Sequence, residues 1–233
     1  MIDKYLNKVI QGDCTDLLKQ LPEKSIDLCL TDLPYGIDYD YDVYNDTKEN
    51  LQNLIRDVMP EILRVSKRVA IFSGINNIWQ YPEADWVINY TWNTTGTYGA
   101  LGYNQWQPIL YYGKDIKGFG SINGELKSDS IKFNGGAKVG FLREEEIDHP
   151  CPKPINIMEK LIKRFSNERE IVLDPFSGSG STAVAAIRHK RDFIGFELSE
   201  KYCAIANKRI KNEMNKLAEN CYVEDLEMFS NDS

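Results

Sequence analysis

Short runs rich in apolar and β-branched residues alternate along this chain with stretches that carry an apolar residue every three or four positions. The runs are KVIQGD, SIDLCLTD, RVAIFSG, DWVINYTW, QPILYYG, EIVLDPF and DFIGFEL. Helical stripes of apolar residues occupy positions 51–62, 155–165 and 202–217;. Strands that alternate with helices form a mostly parallel sheet covered by helices on both faces. The sequence therefore predicts an α/β fold of about seven strands.

One segment, residues 113–148, interrupts this alternation. Glycine, serine, lysine and asparagine are frequent there, and neither the helical nor the strand period is sustained. A segment this long inside a compact domain is usually functional or disordered. Because 233 residues suit one sizeable domain with an insertion;, we expect a single domain over residues 1–233, with 113–148 inserted into it.

Composition excludes several classes of protein. Five cysteines without paired close spacing, together with only two histidines, argue against a disulfide framework and against a metal site;. No apolar run approaches the length of a membrane span and the N-terminus lacks a secretion signal, so we expect a cytoplasmic protein without a membrane partner;. The net charge of -7 argues against a general nucleic-acid coat protein;. Lysines in 113–148 can form a local basic face or a merely solvated surface.

The stretch TDLPYG, residues 31–36, ends a predicted buried strand with an acid, a proline and a tyrosine. Such a strand end places a carboxylate, an exposed carbonyl and an aromatic face at one edge of a sheet. An ordinary exit from a strand into a loop would look similar. Features elsewhere in the sequence are needed to decide whether TDLPYG is a functional site or a structural loop.

A second predicted strand, in EIVLDPFSGSGSTAVAAI, also ends in an acid, Asp174, and leads through two glycines into a helix. Glycines at such a turn let a ligand approach the backbone, and the helix N-terminus offers free N–H groups. The next strand delivers Glu197, where an acid commonly holds ribose hydroxyls;. The turn lacks the Gly-Lys-Ser/Thr of a Walker loop. These features predict a site for a ligand that contains a nucleoside.

Together with HPCPKP at 149–154 and GD at 12–13, the two strand ends resemble those of the DNA amino-methyltransferases that use S-adenosylmethionine. The likeness is to the group in which the catalytic motif precedes the cofactor motif. Its catalytic Asp-Pro-Pro-Tyr is matched by residues 32–35, with leucine in place of the first proline. Its cofactor turn, Asp-Pro-Phe-x-Gly-Ser-Gly, is matched at every fixed position by residues 174–180.

The resemblance covers most of the chain, from about Val9 to Arg209, and is loosest in 113–148, where the family's target-recognition region lies. It implies a Rossmann-like class I methyltransferase fold. It also implies double-stranded DNA as the partner and transfer of a methyl group to the exocyclic amino group of a flipped base. A short recognition segment favours a homodimer, and the resemblance allows a companion restriction nuclease.

By resemblance, the catalytic residues are Asp32, Leu33, Pro34 and Tyr35. An exocyclic amino nitrogen is a poor nucleophile because its lone pair is delocalised into the base. Asp32 can accept one amino hydrogen and the carbonyl of Leu33 the other, so the help is positional and electrostatic. Tyr35 is expected to stack on the extruded base; packing within the loop is its structural alternative.

The resemblance also assigns a set of cofactor-binding residues: Asp13, Cys14, Lys153, Asp174, Pro175, Phe176, Gly178, Ser179, Gly180, Ser181, Thr182 and Glu197. Asp13 would meet the adenine of the cofactor, although it could equally cap the following helix. Glu197 would hold the ribose hydroxyls. Lys153 is a candidate for the cofactor carboxylate, with a surface charge as its alternative. His149 is interpreted as structural, and the cysteines as core residues.

Adenine N6 is the preferred target, because family members that act on cytosine N4 more often carry serine at position 32. Cytosine N4 is the alternative within the same chemistry. Relatives acting on RNA or on a protein glutamine generally place the cofactor motif first, opposite to the order here. A non-catalytic DNA-binding or nucleotide-binding module, in which Leu33 marks lost activity, is the alternative from another class.

Overall fold

The computed structural model describes residues 2–92, 98–99, 102–103, 105–114, 127–133 and 152–230. Its twelve strands are β1 Lys8–Gln11, β2 Ile26–Asp32, β3 Tyr39–Asp40, β4 Asn45–Asp46, β5 Ser66–Phe72, β6 Trp86–Trp92, β7 Tyr98–Gly99, β8 Gly102–Tyr103, β9 Trp106–Tyr112, β10 Ser130–Phe133, β11 Ile171–Asp174 and β12 Asp192–Glu197. Its helices are α1 Cys14–Lys19, α2 Lys48–Val65, α3 Ile155–Phe165, α4 Ser181–Arg188 and α5 Glu200–Ser230, with a 3₁₀ helix over Ile75–Gln80.

Eight of these strands form one sheet in the order β1-β12-β11-β2-β5-β9-β6-β10. Strand β9 is antiparallel to its neighbours β5 and β6, and the other neighbouring pairs are parallel. The mostly parallel α/β sheet is therefore confirmed, and each of the seven predicted runs is a strand. In the described residues the sheet has eight strands, against the prediction of about seven. The additional strand, β10, has the sequence SIKF and lies within residues 113–148, where polar residues and glycine are frequent and no strand period is sustained.

Helices cover both faces of the sheet. On one face, α3, α4 and α5 pack over buried side chains such as Leu28 and Leu30 of β2. On the other face, α1 and α2 pack over Cys29 of the same strand and Val69 of β5. A strand buried on both faces is apolar nearly throughout instead of alternating, which is why β2 contains the consecutive apolar residues LCL at 28–30;.

The parallel order brings the carboxyl ends of β2, β11 and β12 to one edge of the sheet, because neighbouring parallel strands end on the same side. These are the strands that end in Asp32, Asp174 and Glu197. Within the described ranges, no helix is long and apolar enough to cross a membrane.

Candidate active site

The two motif strands are direct neighbours, and a buried hydrogen bond joins their ends. Thr31, the last residue before the catalytic motif, donates its hydroxyl to Oδ1 of Asp174 over 2.6 Å. Strand β2 lies between β11 and β5, so Asp32 follows immediately after the residue that is bonded to the cofactor turn. The sequence predicted two strand ends at one sheet edge, and the structure places them side by side.

Asp32 and Tyr35 belong to a polar cluster that Lys153 completes. The Asp32 carboxylate accepts hydrogen bonds from the Tyr35 hydroxyl and from the Lys153 ammonium. Lys153 also donates to the Tyr35 oxygen over 2.8 Å, and Gln107 of β9 donates to that oxygen over 2.5 Å. The phenol of Tyr35 is thereby fixed by three partners from three separate segments of the chain.

Two further side chains hold the backbone of the catalytic loop. Asp46, fully buried, accepts from the N–H of Gly36 at 2.7 Å and of Ile37 at 3.3 Å. Asn77, in the 3₁₀ helix, donates to the carbonyl of Tyr35 over 2.6 Å. Gly36 has a φ of +65°, and a Cβ there would lie 3.0 Å from the Cα of Lys48 in α2. The loop is therefore restrained before any base enters.

Leu33 packs its side chain into the core, where it is 1% exposed. It belongs to the apolar cluster that contains Leu51 and Ile55 of α2. Pro34 and Tyr35 are only partly covered. Leucine at this position thus adds apolar contacts within the core, while its backbone carbonyl belongs to the loop beside Asp32.

Asp174 is buried and hydrogen-bonded from three directions. Besides Thr31, the hydroxyl of Thr182 donates to its Oδ2 over 2.6 Å and the N–H of Phe176 to its Oδ1 over 3.1 Å. Burial raises the pKa of this carboxyl to about 6, against the lowering effect of these hydrogen bonds;. These contacts shape the turn from within, and Pro175 beside it is also buried.

The glycines of the turn adopt left-handed backbone conformations, with φ of +51° at Gly178 and +82° at Gly180. A Cβ on Gly180 would lie 3.1 Å from the Cβ of Ala206 in α5. Gly180 is also the N-cap of α4 and offers no side-chain cap to the first turn, which begins at Ser181. Ser179 is held from behind by Arg209, which donates to its carbonyl over 2.5 Å.

Glu197, at the end of β12, lies against the same turn. Its carboxylate accepts from the N–H of Gly178 at 2.7 Å and of Ser199 at 2.9 Å. Burial raises the pKa of this group above its usual range;. A carboxylate has about four acceptor positions, so Glu197 retains capacity for a ligand.

Asp13 caps α1, since its Oδ1 accepts from the backbone N–H and from the hydroxyl of Thr15, both at 2.8 Å. The structural alternative raised for Asp13 is thus confirmed, and its contact with a cofactor adenine stays a prediction. Cys14 follows it and is buried, which raises the pKa of its thiol to about 12. The nearby charges of Asp13 and Glu197 add to that rise.

S-adenosylmethionine carries a pair of ribose hydroxyls and a carboxylate, and this edge of the sheet has a suitable partner for each. Glu197 is a half-buried acceptor for hydroxyl groups. The uncapped N-terminus of α4 offers N–H groups and the positive end of a helix dipole to a carboxylate;. Gly178 and Gly180 give the turn the left-handed backbone that leads from β11 to this helix N-terminus;. The residues present therefore fit the cofactor.

Lys153 is the predicted cofactor residue that the structure places elsewhere in the site, on Asp32 and Tyr35. His149, Cys151 and most of 113–148 lie outside the described residues. In the part of the chain that is described, no group of three or more His, Cys, Asp or Glu residues is arranged to hold a metal ion.

Sequence reasoning missed Asp46, Asn77 and Gln107. None of them belongs to a sequence motif or has a spacing from the motif residues that indicates a shared site. Each contacts the catalytic loop only because the tertiary fold brings its element close to the loop. A weak signal was available for Asp46 alone, because it precedes a helix that starts with the N-cap Thr47.

Comparison with known proteins identifies the family. The model of a DNA methylase family, N6_N4_Mtase, matches residues 72–208, more than half of the chain. The type II methyltransferase M.HinfI of Haemophilus influenzae is 27% identical, over 90% of this chain and 70% of its own length. The DNA adenine methyltransferase YhdJ of Escherichia coli K12 is 29% identical, over 87% of this chain and 82% of its own.

Among solved structures, the complex of M1.HpyAVI with S-adenosylmethionine has the same fold. Its TM-score is 0.61 at 23% identity, covering 87% of this chain and 98% of that one. The family match, the two motif strands side by side and the fit of the cofactor residues agree with one another. This chain belongs to the DNA methylase family, whose members are S-adenosylmethionine-dependent methyltransferases acting on the N6 of adenine or the N4 of cytosine in DNA.

Proposed function

We propose that this enzyme methylates the N6 amino group of adenine in double-stranded DNA, with Asp32 and the Leu33 carbonyl as the acceptors of hydrogen bonds from that amino group. The observation that carries the proposal is the Thr31–Asp174 hydrogen bond, because it holds the catalytic strand end against the cofactor turn. Adenine is supported by aspartate at position 32 and by the similarity to YhdJ, which is named an adenine methyltransferase. Cytosine N4 is the alternative.

Asp32 and the Leu33 carbonyl would act by orientation. Two acceptors on different sides of an amino group favour a pyramidal nitrogen whose lone pair is directed away from the ring. Asp32 keeps unused acceptor positions although Tyr35 and Lys153 already donate to it;. The ring of Tyr35, partly covered and fixed through its hydroxyl, would form one wall for the extruded base;.

The cofactor supplies an electrophilic methyl group when it is bound. Glu197 would hold its ribose hydroxyls, and Asp13 and Cys14 its adenine. Residues of the turn from Asp174 to Thr182 would hold the methionine part, with the α4 N-terminus next to the carboxylate;.

Sequencing genomic DNA from cells that express the protein, with a method sensitive to base modification, tests the proposal. We expect methylated adenine at one short recurring sequence. Methylation confined to cytosine would favour the alternative, and unmodified DNA from cells that contain folded protein would contradict the proposal. A homodimer, a companion restriction nuclease and a cytoplasmic location stay predictions of the sequence.

Replacing Glu197 by alanine is expected to weaken binding of S-adenosylmethionine by about 1 to 3 kcal/mol, because the buried ribose hydroxyls lose their acceptor. Isothermal titration calorimetry measures the effect. Glu200→Ala is the matched control, since Glu200 is an exposed glutamate three residues away at the start of α5. If Glu197→Ala and the natural protein bind S-adenosylmethionine with equal affinity, Glu197 does not contact the cofactor.

We propose that residues 113–148 contact DNA, and the structure distinguishes two of the three lysines that it describes there, Lys127 and Lys132. Strand β10 is parallel to β6, and Lys132 pairs with Thr91 near the edge of the sheet that holds the site. Lys127 precedes the strand and lies towards the opposite edge. Both are exposed. Lys132 is therefore the better candidate for a phosphate contact.

Lys132→Ala is expected to weaken DNA binding at all sequences and to lower the slope of log affinity against log salt concentration by about one. Fluorescence anisotropy over a series of salt concentrations measures both quantities. Lys127→Ala serves as the charge-matched control. An unchanged slope for Lys132→Ala would assign this strand another role.

A further inference from the structure

Lys153 lies among the catalytic residues. It directly precedes Pro154, the N-cap of α3, and its side chain extends to the end of β2. There the ammonium contacts the Asp32 carboxylate and the Tyr35 hydroxyl. The side chain of Lys153 is 11% exposed and that of Asp32 is 21% exposed. The pair is thus largely withdrawn from water.

Two aromatic rings fix the position of the ammonium further. Its nitrogen lies 5.2 Å from the ring centroid of Tyr35 and 5.3 Å from that of Phe72. Cations at such distances are attracted to the face of an aromatic ring, more strongly where water is excluded. Phe72 ends β5, the strand next to β2. The lysine is therefore held by groups from two neighbouring strand ends.

The same contacts determine which way the Tyr35 hydroxyl points. Its oxygen accepts from Lys153 and from Gln107, so its own proton is left for Asp32. An ammonium has only donors and a carboxylate only acceptors, so this direction cannot be reversed while both are charged. Removing the ammonium would release the carboxylate and the phenol together.

We infer that Lys153 is a positioning residue for methyl transfer, which fixes the Asp32 carboxylate and the Tyr35 ring for the incoming base and balances the charge of Asp32. This inference rests on the proposed function of the site. It differs from the role that the family resemblance implies, in which Lys153 binds the cofactor carboxylate. The two roles predict opposite effects on cofactor affinity and on rate.

Lys153→Met tests the inference, because methionine approximates the length and apolar stem of lysine without its charge. We expect the single-turnover rate at saturating S-adenosylmethionine to fall by about 30-fold to 100-fold, the scale of a small misplacement in a catalytic site. We expect the dissociation constant of the cofactor, measured by calorimetry on the same preparation, to stay within about threefold, which also shows that the variant is folded. Lys160→Met, an exposed lysine of α3, is the control.

A double-mutant cycle distinguishes positioning of Asp32 from a general structural role, because it measures whether the effect of Lys153→Met on the rate depends on Asp32. If Lys153 acts through Asp32, Lys153→Met should lower the residual rate of Asp32→Ala by less than about threefold. A tenfold weaker cofactor affinity with an unchanged saturated rate would overturn the inference in favour of the cofactor role. Full additivity in the cycle would overturn it too. A natural protein that binds the cofactor but methylates no duplex DNA would contradict the proposed function itself, and the inference with it.

Discussion

Replacing Asp32 by alanine is expected to lower the rate of methyl transfer on the order of a hundredfold or more. The substitution removes an acceptor that the protein has already oriented through Tyr35 and Lys153, and loss of one preorganised polar partner has effects of this size. The rate should be measured in single turnovers on duplex DNA, so that product release does not mask the chemical step. An Asp32→Ala variant with full activity would show that the catalytic centre lies elsewhere.

Leu33→Pro is the matched control for the same loop. The reaction needs a carbonyl from this position, and every residue type has one. Proline restores the family motif and restricts the backbone, an effect of roughly 0.4 to 1 kcal/mol through the unfolded chain, at the cost of the apolar contacts that Leu33 makes in the core. We expect a change in rate of less than about tenfold. An inactive natural protein that Leu33→Pro activates would show that leucine had disabled the site.

The second large effect concerns Asp174 and stability. Burial raises its pKa in the folded protein to about 6 from an ordinary value of 3.8. Between these values the folded state binds more protons than the unfolded state, so the free energy of unfolding falls as the pH rises. The pKa difference corresponds to about 3 kcal/mol of stability, present below the unfolded pKa and lost by the time the pH exceeds the folded one;.

Asp174→Asn removes this titration while keeping a side chain of the same shape. Urea unfolding at intervals between pH 4 and pH 7 gives the free energy of unfolding of the natural protein and of the variant as a function of pH. The contributions of other titrating groups cancel in the difference between the two curves. We expect the variant to lose less stability over this range, by about 2 kcal/mol. Asp16→Asn, at an exposed carboxyl of α1, is the control. Parallel curves for Asp174→Asn and the natural protein would contradict the assignment.

The seven predicted strands and the covered faces of the sheet were predictable because burial on both sides leaves mostly apolar runs, such as LCL in β2 and PILYY in β9. The apolar stripe of α3 was equally clear, and its members Met158 and Leu161 are buried. The adjacency of Asp32 and Asp174 could be predicted from the sequence only in part. Parallel order put both at one sheet edge, whereas the pairing of β2 with β11 is a tertiary fact that no local pattern encodes.

The supports of the site were not predictable. Gln107 lies 72 residues from Tyr35 in sequence, and Lys153 lies 121 residues from Asp32. A single polar residue in an apolar strand such as β9 gives no indication of its partner until the antiparallel pairing of β5 with β9 is known. The short strand β10 escaped detection for a different reason, since four residues within a polar segment carry no readable period.

We propose that this chain transfers a methyl group from S-adenosylmethionine to adenine N6 through Asp32. Mass spectrometry of nucleosides tests it most directly, after duplex DNA has been incubated with purified protein and S-adenosylmethionine labelled with an isotope in its methyl group. We expect labelled N6-methyl-2′-deoxyadenosine from the natural protein and a yield lower by about a hundredfold from Asp32→Ala at equal time. Label found only in N4-methyl-2′-deoxycytidine, or an equal yield of N6-methyl-2′-deoxyadenosine from Asp32→Ala, would contradict this assignment.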